Sequence, residues 1–410
     1  MKTSRIQNLS YTVFLLLLLA VTLPPLFSNR LPDHAMTLEW TCRLQELTDG
    51  FTARRPVLFP QAEVFDWTGV YDHAMNSNLW LFVPAVLYFF TGNLLLSYQT
   101  FLFLIQVGTL LSSDMFFSTF FSEKEPEAKV RFIPKHPAAL CGIALYMTCP
   151  YRLFLCYDQS NLFEALVWML LPLYVWALSG FFKNKRQFPV MCFAGFLLTL
   201  IGYTHLILYL VILCFSCLAG LLLRNWKILI SLGFSILLSL PCLYRLVSYL
   251  FDLSGTVLIL PLNGIMKNGY FVGQFFSSYA YQTNHPGMGL GLLLCLFGGL
   301  WLSFVASTHP KHKWYVPSFM LFGFLTLLSL SLFPWDPAQR LGLPVLKFIS
   351  RIGTPGLFWG LATAVFTLPA ALISELFCCR KNRTAALLFP LFVLLLSMGI
   401  GLHLCSTLIS

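Results

Sequence analysis

Long apolar runs separated by short polar connections follow one another along the whole chain. An α-helix needs about 20 apolar residues to cross about 30 Å of hydrocarbon. Twelve runs approach this length, at 9–28, 79–95, 97–121, 137–155, 161–181, 187–204, 206–223, 228–248, 288–307, 315–334, 355–379 and 384–405. The pattern predicts an all-α, polytopic membrane protein.

Basic residues in the connections predict how the runs cross. They form five clusters, at 124–135, 183–186, 224–227, 311–313 and 380–383. Short cytoplasmic loops carry an excess of Lys and Arg. With the N-terminus inside and every run crossing, all five clusters would fall outside, whereas they become cytoplasmic if 79–95 does not cross. We therefore expect about eleven spans, an outer interfacial or re-entrant segment at 79–95, and an extracytoplasmic C-terminus.

Composition supports the membrane interpretation. Hydrophobic residues make up 58% of the 410 residues and charged residues only 10%, against roughly 25% charged residues in soluble domains. The net charge of +10 is explained by the orienting loops, so we expect no nucleic-acid partner. The basic residues Lys2 and Arg5 precede an apolar run that is too long for a signal-peptide core. We interpret this run as the first span.

The largest outer segments are the loop at 29–78 and the loop at 249–287. Residues 31–51 predict a short helix with Asp33 as N-cap and Gly50 as stop signal. Its apolar stripe would face the membrane surface. Asp33 has two interpretations at this point, a helix cap at the end of a span and a catalytic carboxylate on the first outer loop.

Further polar residues cluster at the outer ends of later runs. Polar groups in membrane segments usually face a cavity or a partner, although residues at helix ends are also simply solvated. In the eleven-span topology the same outer face carries Arg152, Tyr157, Asp158, Glu164, His205 and Arg245. Asp114 lies within a run near the cytoplasmic side, and we assign it no role.

The order of these pieces resembles a known family. A first span precedes Asp33–His34 and a helix with Arg43 and Gly50, and CPYRLFLCYDQSNLFEALV and GYTHL follow. This resembles the bacterial 6-pyruvoyl-tetrahydropterin synthase-related membrane-domain proteins and the YfhO-type family, which are similar to the GT-C glycosyltransferases. The resemblance divides the chain into a GT-C-like N-terminal membrane module, 1–210, and C-terminal helices, 211–410. Gln159 and Phe163 stand where the family pattern has arginine and glycine.

The resemblance implies an activity. GT-C enzymes transfer a sugar from a polyprenyl-phosphate donor to a glycan or lipid acceptor at the extracytoplasmic face of the cell membrane. Asp33 would be the catalytic base, and Asp158 with Glu164 would hold Mg²⁺ or Mn²⁺ if a cation is used. Substrate contacts would come from His34, Arg43, Arg152, Tyr157, His205 and Arg245, of which Arg152 and Arg245 suit the donor phosphate.

Two other functions fit the same sequence. A transporter or flippase of lipid-linked envelope precursors would show repeats and broken helices near the membrane midplane. A non-catalytic envelope protein, or a diverged inactive enzyme, is compatible with Gln159 in place of the family arginine.

Overall fold

The structure is a computed structural model. It describes the residues 2–28, 31–32, 35–55, 58–59, 76–121, 137–180, 188–252, 269–276, 286–303, 312–331, 333, 355–378 and 383–407. Asp33, His34 and the basic clusters at 124–135 and 183–186 lie outside these residues. The direction in which the chain crosses the membrane therefore stays a prediction.

The first half of the chain forms helices that follow the apolar runs. They are α1 (Lys2–Thr22), α2 (Ala35–Thr52), α3 (Phe82–Thr91), α4 (Leu94–Phe121), α5 (Pro137–Met147), α6 (Pro150–Tyr157), α7 (Leu162–Gly180) and α8 (Phe188–Thr204). Short 3-10 turns at Pro24–Phe27 and Leu79–Leu81 precede α2 and α3.

The second half continues in the same way. Its helices are α9 (Leu206–Leu222), α10 (Trp226–Leu238), α11 (Leu240–Asp252), α12 (Val272–Phe275), α13 (Leu290–Ser303), α14 (His312–Ser329), α15 (Pro355–Cys378) and α16 (Arg383–Thr407). Within the described residues the regular structure is helical, with an isolated parallel bridge between Tyr270 and Leu330. The predicted all-α class is confirmed.

Several helices have the length and composition of membrane spans. Among the described residues, four meet both criteria, namely Leu94–Phe121, Pro137–Tyr157, Leu162–Ser179 and Gly356–Glu375. Shorter apolar helices occupy seven further segments, including Phe188–Thr204 and Leu206–Leu222. The protein is thus an all-α chain with several helices suited to a membrane.

The chain packs into two compact units, and each recruits both of the halves that the sequence analysis separated at residue 210. Unit 1 contains Met1–Pro25, Ser113–Phe154 and Leu260–Ser410, and unit 2 contains Leu26–Ser112 and Leu155–Ile259. In unit 1, α15 packs against α5, α13, α14 and α16, and every residue of α5 is buried. In unit 2, α8 packs against α7, α9 and α10, while α2 packs against α3.

Two predicted continuous runs are interrupted in the structure. The run 137–155 divides between α5 and α6, because Pro150 has no N–H with which to continue the helical ladder. The run 228–248 divides between α10 and α11 at Ser239, a fully buried residue. Hydropathy alone does not distinguish such breaks from continuous helices.

The helix predicted over 31–51 is confirmed, but two of its predicted details are wrong. Gly50 does not stop it, since α2 continues to Thr52. Arg54 adopts the left-handed conformation with φ 58°, and the Arg55 N–H donates to the Gly50 carbonyl over 2.7 Å, which completes a Schellman motif. Leu44 and Leu47 are fully buried in the protein, so the predicted apolar face does not lie against lipid.

Candidate functional site

A buried ion pair on α2 is hydrogen bonded to other buried polar groups of unit 2. Glu39 and Arg43 are one helical turn apart, and the Arg43 NH2 group lies 2.8 Å from Glu39 Oε1. The exposed fraction is 1% for Glu39 and 0% for Arg43. Burying two charges is costly unless they are paired and further hydrogen bonded, so the surroundings of this pair are informative.

Arg43 joins α2 to two other parts of unit 2. Its NH1 group donates to the Asn76 carbonyl over 3.1 Å and to Asn78 Oδ1 over 3.3 Å. Its guanidinium carbon lies 4.8 Å from the centre of the Phe163 ring on α7, within the range of a cation–π contact. The predicted site residue Arg43 therefore has a clear structural function as well.

The segment 76–78 is a connecting point that the sequence analysis missed. Its three side chains are buried. Asn76 Oδ1 accepts a bond from the Leu206 N–H over 3.1 Å, and the Ser77 N–H donates to the Tyr203 carbonyl over 3.0 Å. The polar triplet Asn-Ser-Asn directly before an apolar run was the available signal.

Two more charged side chains extend the ion pair into a chain of alternating charge. Arg43 interacts electrostatically with Glu46 and with Arg245 on α11, and Arg245 also interacts with Glu46. Arg245 is partly exposed, and its guanidinium carbon lies 5.0 Å from the centre of the Phe59 ring. The structure thus brings together the predicted residues Arg43 and Arg245.

Burial changes the proton affinity of the pair, which lies outside the apolar, span-like helices. Desolvation raises the pKa of Glu39 from 4.5 to about 7, although the Arg43 charge and hydrogen bond oppose the shift. Desolvation likewise lowers the pKa of Arg43 from its usual value. Glu39 was not singled out by the sequence analysis, because nothing in an Asp- and Glu-containing surface helix indicates which acid is buried.

The predicted acids Asp158 and Glu164 lie at the turn between α6 and α7. Asn161 Oδ1 accepts from the Glu164 N–H over 3.1 Å, and Asn161 Nδ2 donates to Glu164 Oε2 over 3.3 Å. This reciprocal pair caps the start of α7. Asp158 is partly exposed in the turn, and Tyr157 is buried at the end of α6.

The geometry of these acids does not favour a bound cation. Glu164 is engaged in the helix cap. Over the described ranges, no group of three His, Cys, Asp or Glu side chains is placed to hold a metal ion. We therefore derive no step that uses Mg²⁺ or Mn²⁺.

His205 connects to the same part of unit 2. It is the N-cap of α9, and its Nδ1 accepts from the Leu208 N–H over 3.4 Å. An accepting Nδ1 leaves the proton of a neutral imidazole on Nε2. Asn76 bonds to the next residue, Leu206, so Asn76 lies between the positions of Arg43 and His205.

Arg152 belongs to unit 1, unlike Arg43, His205 and Arg245. It is fully buried, and its Nε donates to the Met147 carbonyl over 3.1 Å, with a second bond from NH2 to the same oxygen. Pro150 interrupts the helix here, and Arg152 hydrogen bonds to a carbonyl at the end of α5. The predicted contact of Arg152 with substrate stays a prediction.

Comparison of the chain with protein-family models, with curated proteins and with solved structures finds no match.

Proposed function

We propose that this chain is an integral membrane glycosyltransferase of the GT-C type, which takes its sugar from a polyprenyl-phosphate donor at the extracytoplasmic face. The observation that supports it best is the grouping of Arg43 and Arg245 with the acids of α2. Arg245 is partly exposed and suits recognition of a phosphate, and the buried Arg43, from a helix far away in sequence, lies within electrostatic reach of it.

The proposal includes the eleven-span topology. The helix α3 contains ten residues and is about 15 Å long, roughly half of the hydrocarbon thickness. Gly92, with φ 63°, ends it, and Asn93 Oδ1 accepts from the Leu96 N–H at the start of α4. A short helix with a turn after it fits a segment that rests on the outer leaflet.

The proposed reaction assigns separate roles to these residues. The bond between the anomeric carbon and the donor phosphate oxygen breaks, and a bond to an acceptor hydroxyl oxygen forms. Asp33 takes the proton of that hydroxyl. Arg245 stabilises the charge that develops on the leaving polyprenyl phosphate, and Arg43 positions the segment 76–78 through its hydrogen bonds to Asn76 and Asn78.

Analysis of envelope glycans by mass spectrometry tests the proposal. Cells that lack the protein are complemented with wild type, Asp33→Asn, Arg245→Met or the exposed control Arg54→Met. We expect the wild type and Arg54→Met to restore a glycan that Asp33→Asn and Arg245→Met do not. Restoration by Asp33→Asn would overturn the assigned base, and an unchanged glycan profile without the protein would overturn the reaction.

One observation favours transport of a lipid-linked precursor as a second candidate. The apolar run 137–155 is interrupted between α5 and α6, and discontinuous helices are a feature of transporters. Transbilayer movement of a fluorescent phosphate lipid in proteoliposomes tests this function. Movement that depends on Arg152 and occurs without sugar transfer would favour transport over the enzyme.

A further inference from the structure

We propose that unit 2 binds a phosphodiester anion at Arg245 together with one proton, which Glu39 takes up through the charge chain Glu39–Arg43–Glu46–Arg245. The inference rests on the anion-binding role that the proposed function gives to Arg245. It adds the prediction that substrate binding is coupled to pH.

Glu39 is placed to change its charge without leaving the protein. Its Oε1 is held by Arg43, whereas its Oε2 is buried and has no hydrogen-bond partner in the part of the chain that the structure describes. A neutral carboxyl group is far cheaper to bury than a carboxylate with an unsatisfied oxygen. Burial accordingly brings the pKa of Glu39 to about 7.

The charges in the chain determine the consequence. With Glu39 ionised, two acids balance two arginines, and the net charge of these four side chains is zero. With Glu39 protonated, the sum is +1. Glu46 interacts with both Arg43 and Arg245, so it compensates Arg43 when Glu39 becomes neutral. Protonation of Glu39 therefore makes the electrostatic potential around the partly exposed Arg245 more positive, which favours a bound anion.

The other titratable groups around α2 do not take the place of Glu39. Cys42 lies on the same helix, and burial raises the pKa of its thiol. Tyr98 on α4 donates its hydroxyl hydrogen to the Cys156 carbonyl over 3.0 Å, and Tyr88 lies on α3. Glu164 on α7 is engaged in its cap, and His205 on α9 accepts a backbone hydrogen bond at Nδ1.

Linkage fixes the direction of the effect. An anion bound at Arg245 raises the affinity of Glu39 for a proton, and a proton on Glu39 raises the affinity for the anion by the same factor. The affinity is therefore highest below pH 7 and falls as the pH rises through this value. A pKa that differs by one unit between the free and bound states corresponds to about a tenfold change in affinity.

Lipid binding to the full-length protein in detergent micelles tests the inference. The probe is fluorescent phosphatidylglycerol, a phosphodiester whose own charge is constant between pH 6 and 8.5. We expect the wild-type Kd to rise about tenfold over this range, as it does in the matched control Asp49→Asn, which removes an exposed carboxylate of α2. Glu39→Gln should bind with one pH-independent Kd, and Arg245→Met should not bind.

A second measurement does not depend on the folding of a variant. Wild-type protein mixed with phosphatidylglycerol at pH 7 in weak buffer should take up a fraction of a proton, up to one, for each lipid bound, as read by a pH indicator. Dimethyl phosphate distinguishes the source of recognition. If it competes, the phosphodiester group suffices, and if it does not, the lipid chains are needed as well.

Several results would overturn the inference. A wild-type Kd that does not change with pH, or a pH dependence that survives in Glu39→Gln, removes the proton coupling while leaving the anion site. Absence of phosphatidylglycerol binding at every pH removes the anion site as well. Proton-coupled binding without any envelope-glycan change would support this inference and overturn only the proposed sugar transfer.

Discussion

Arg43 holds the carboxylate of Glu39 at 2.8 Å between NH2 and Oε1, in a part of unit 2 that solvent does not reach. The two residues are spaced i, i+4 on α2, and Arg43 extends the contact to the segment 76–78. Removing one partner of such a buried pair strongly destabilises a protein, whereas replacing both partners by apolar residues destabilises it less.

Replacing Arg43 by Met should destabilise the protein by about 3–5 kcal/mol at pH 8. The substitution leaves the Glu39 carboxylate buried without its counter-charge. The loss should be smaller at pH 6, because Glu39 can then take up a proton. Thermal unfolding in detergent measures both values, with the exposed residue in Arg55→Met as the control.

The paired variant separates charge from packing. Glu39→Met combined with Arg43→Met should recover part of the stability lost in Arg43→Met, since no uncompensated charge remains. The hydrogen bonds to Asn76 and Asn78 stay lost. A double variant no more stable than Arg43→Met would show that these bonds, and not the ion pair, carry the contribution of Arg43.

Stability should also depend on pH through Glu39. The pKa is raised from 4.5 to about 7 in the folded protein, so the unfolded chain binds fewer protons between these values. The contribution of Glu39 is therefore most favourable below pH 4.5, falls as the pH rises towards 7 and is constant above it, by at most about 3 kcal/mol. Denaturant unfolding from pH 5 to 8 should show this slope in wild type and Asp49→Asn and lose it in Glu39→Gln.

Replacing Arg54 by Gly should stabilise the end of α2. Arg54 has a positive φ of 58° in the Schellman motif, a conformation that costs an L-residue about 1 kcal/mol and glycine much less. Hydrogen exchange of the last turn of α2, together with the unfolding midpoint, measures the gain. Arg54→Ala keeps the strain and serves as the control, and equal gains in both variants would contradict the explanation.

Replacing Asn76 by Ala should cost about 1–3 kcal/mol, because the buried Leu206 N–H loses its acceptor. The matched variant Asn93→Ala removes a similar bond, to the Leu96 N–H, at an exposed position. Water can replace that bond, so its loss should cost about 0.5–1 kcal/mol. Unfolding curves of both variants give the comparison, and equal costs would argue against Asn76 as the connecting residue.

Much of the fold was predictable from local sequence. The limits of α4, α8, α9 and α15 lie within a few residues of the predicted runs, because membrane helices must satisfy their backbone groups internally and must be apolar throughout. The breaks at Pro150 and Ser239 were not predicted. An apolar run retains its hydropathy whether or not the backbone ladder is interrupted, so its average does not report the break.

The candidate site was predictable only in part. Arg245 was identified as a polar residue near the outer end of an apolar run and Arg43 through the family resemblance, and the structure brings them within electrostatic reach. Glu39 and Asn76 were missed, because their importance comes from burial and from partners distant in sequence. Asp33 and His34 lie outside the described residues, so their assigned roles stay predictions.

The sequence by itself determined that this is a chain of apolar helices, because its long apolar runs, separated by short charged connections, have the spacing of membrane helices. Only the tertiary structure decided which charges meet. Charge interactions depend on distance and on exclusion of water, and both arise when α2, the segment 76–78 and α11 pack into one unit.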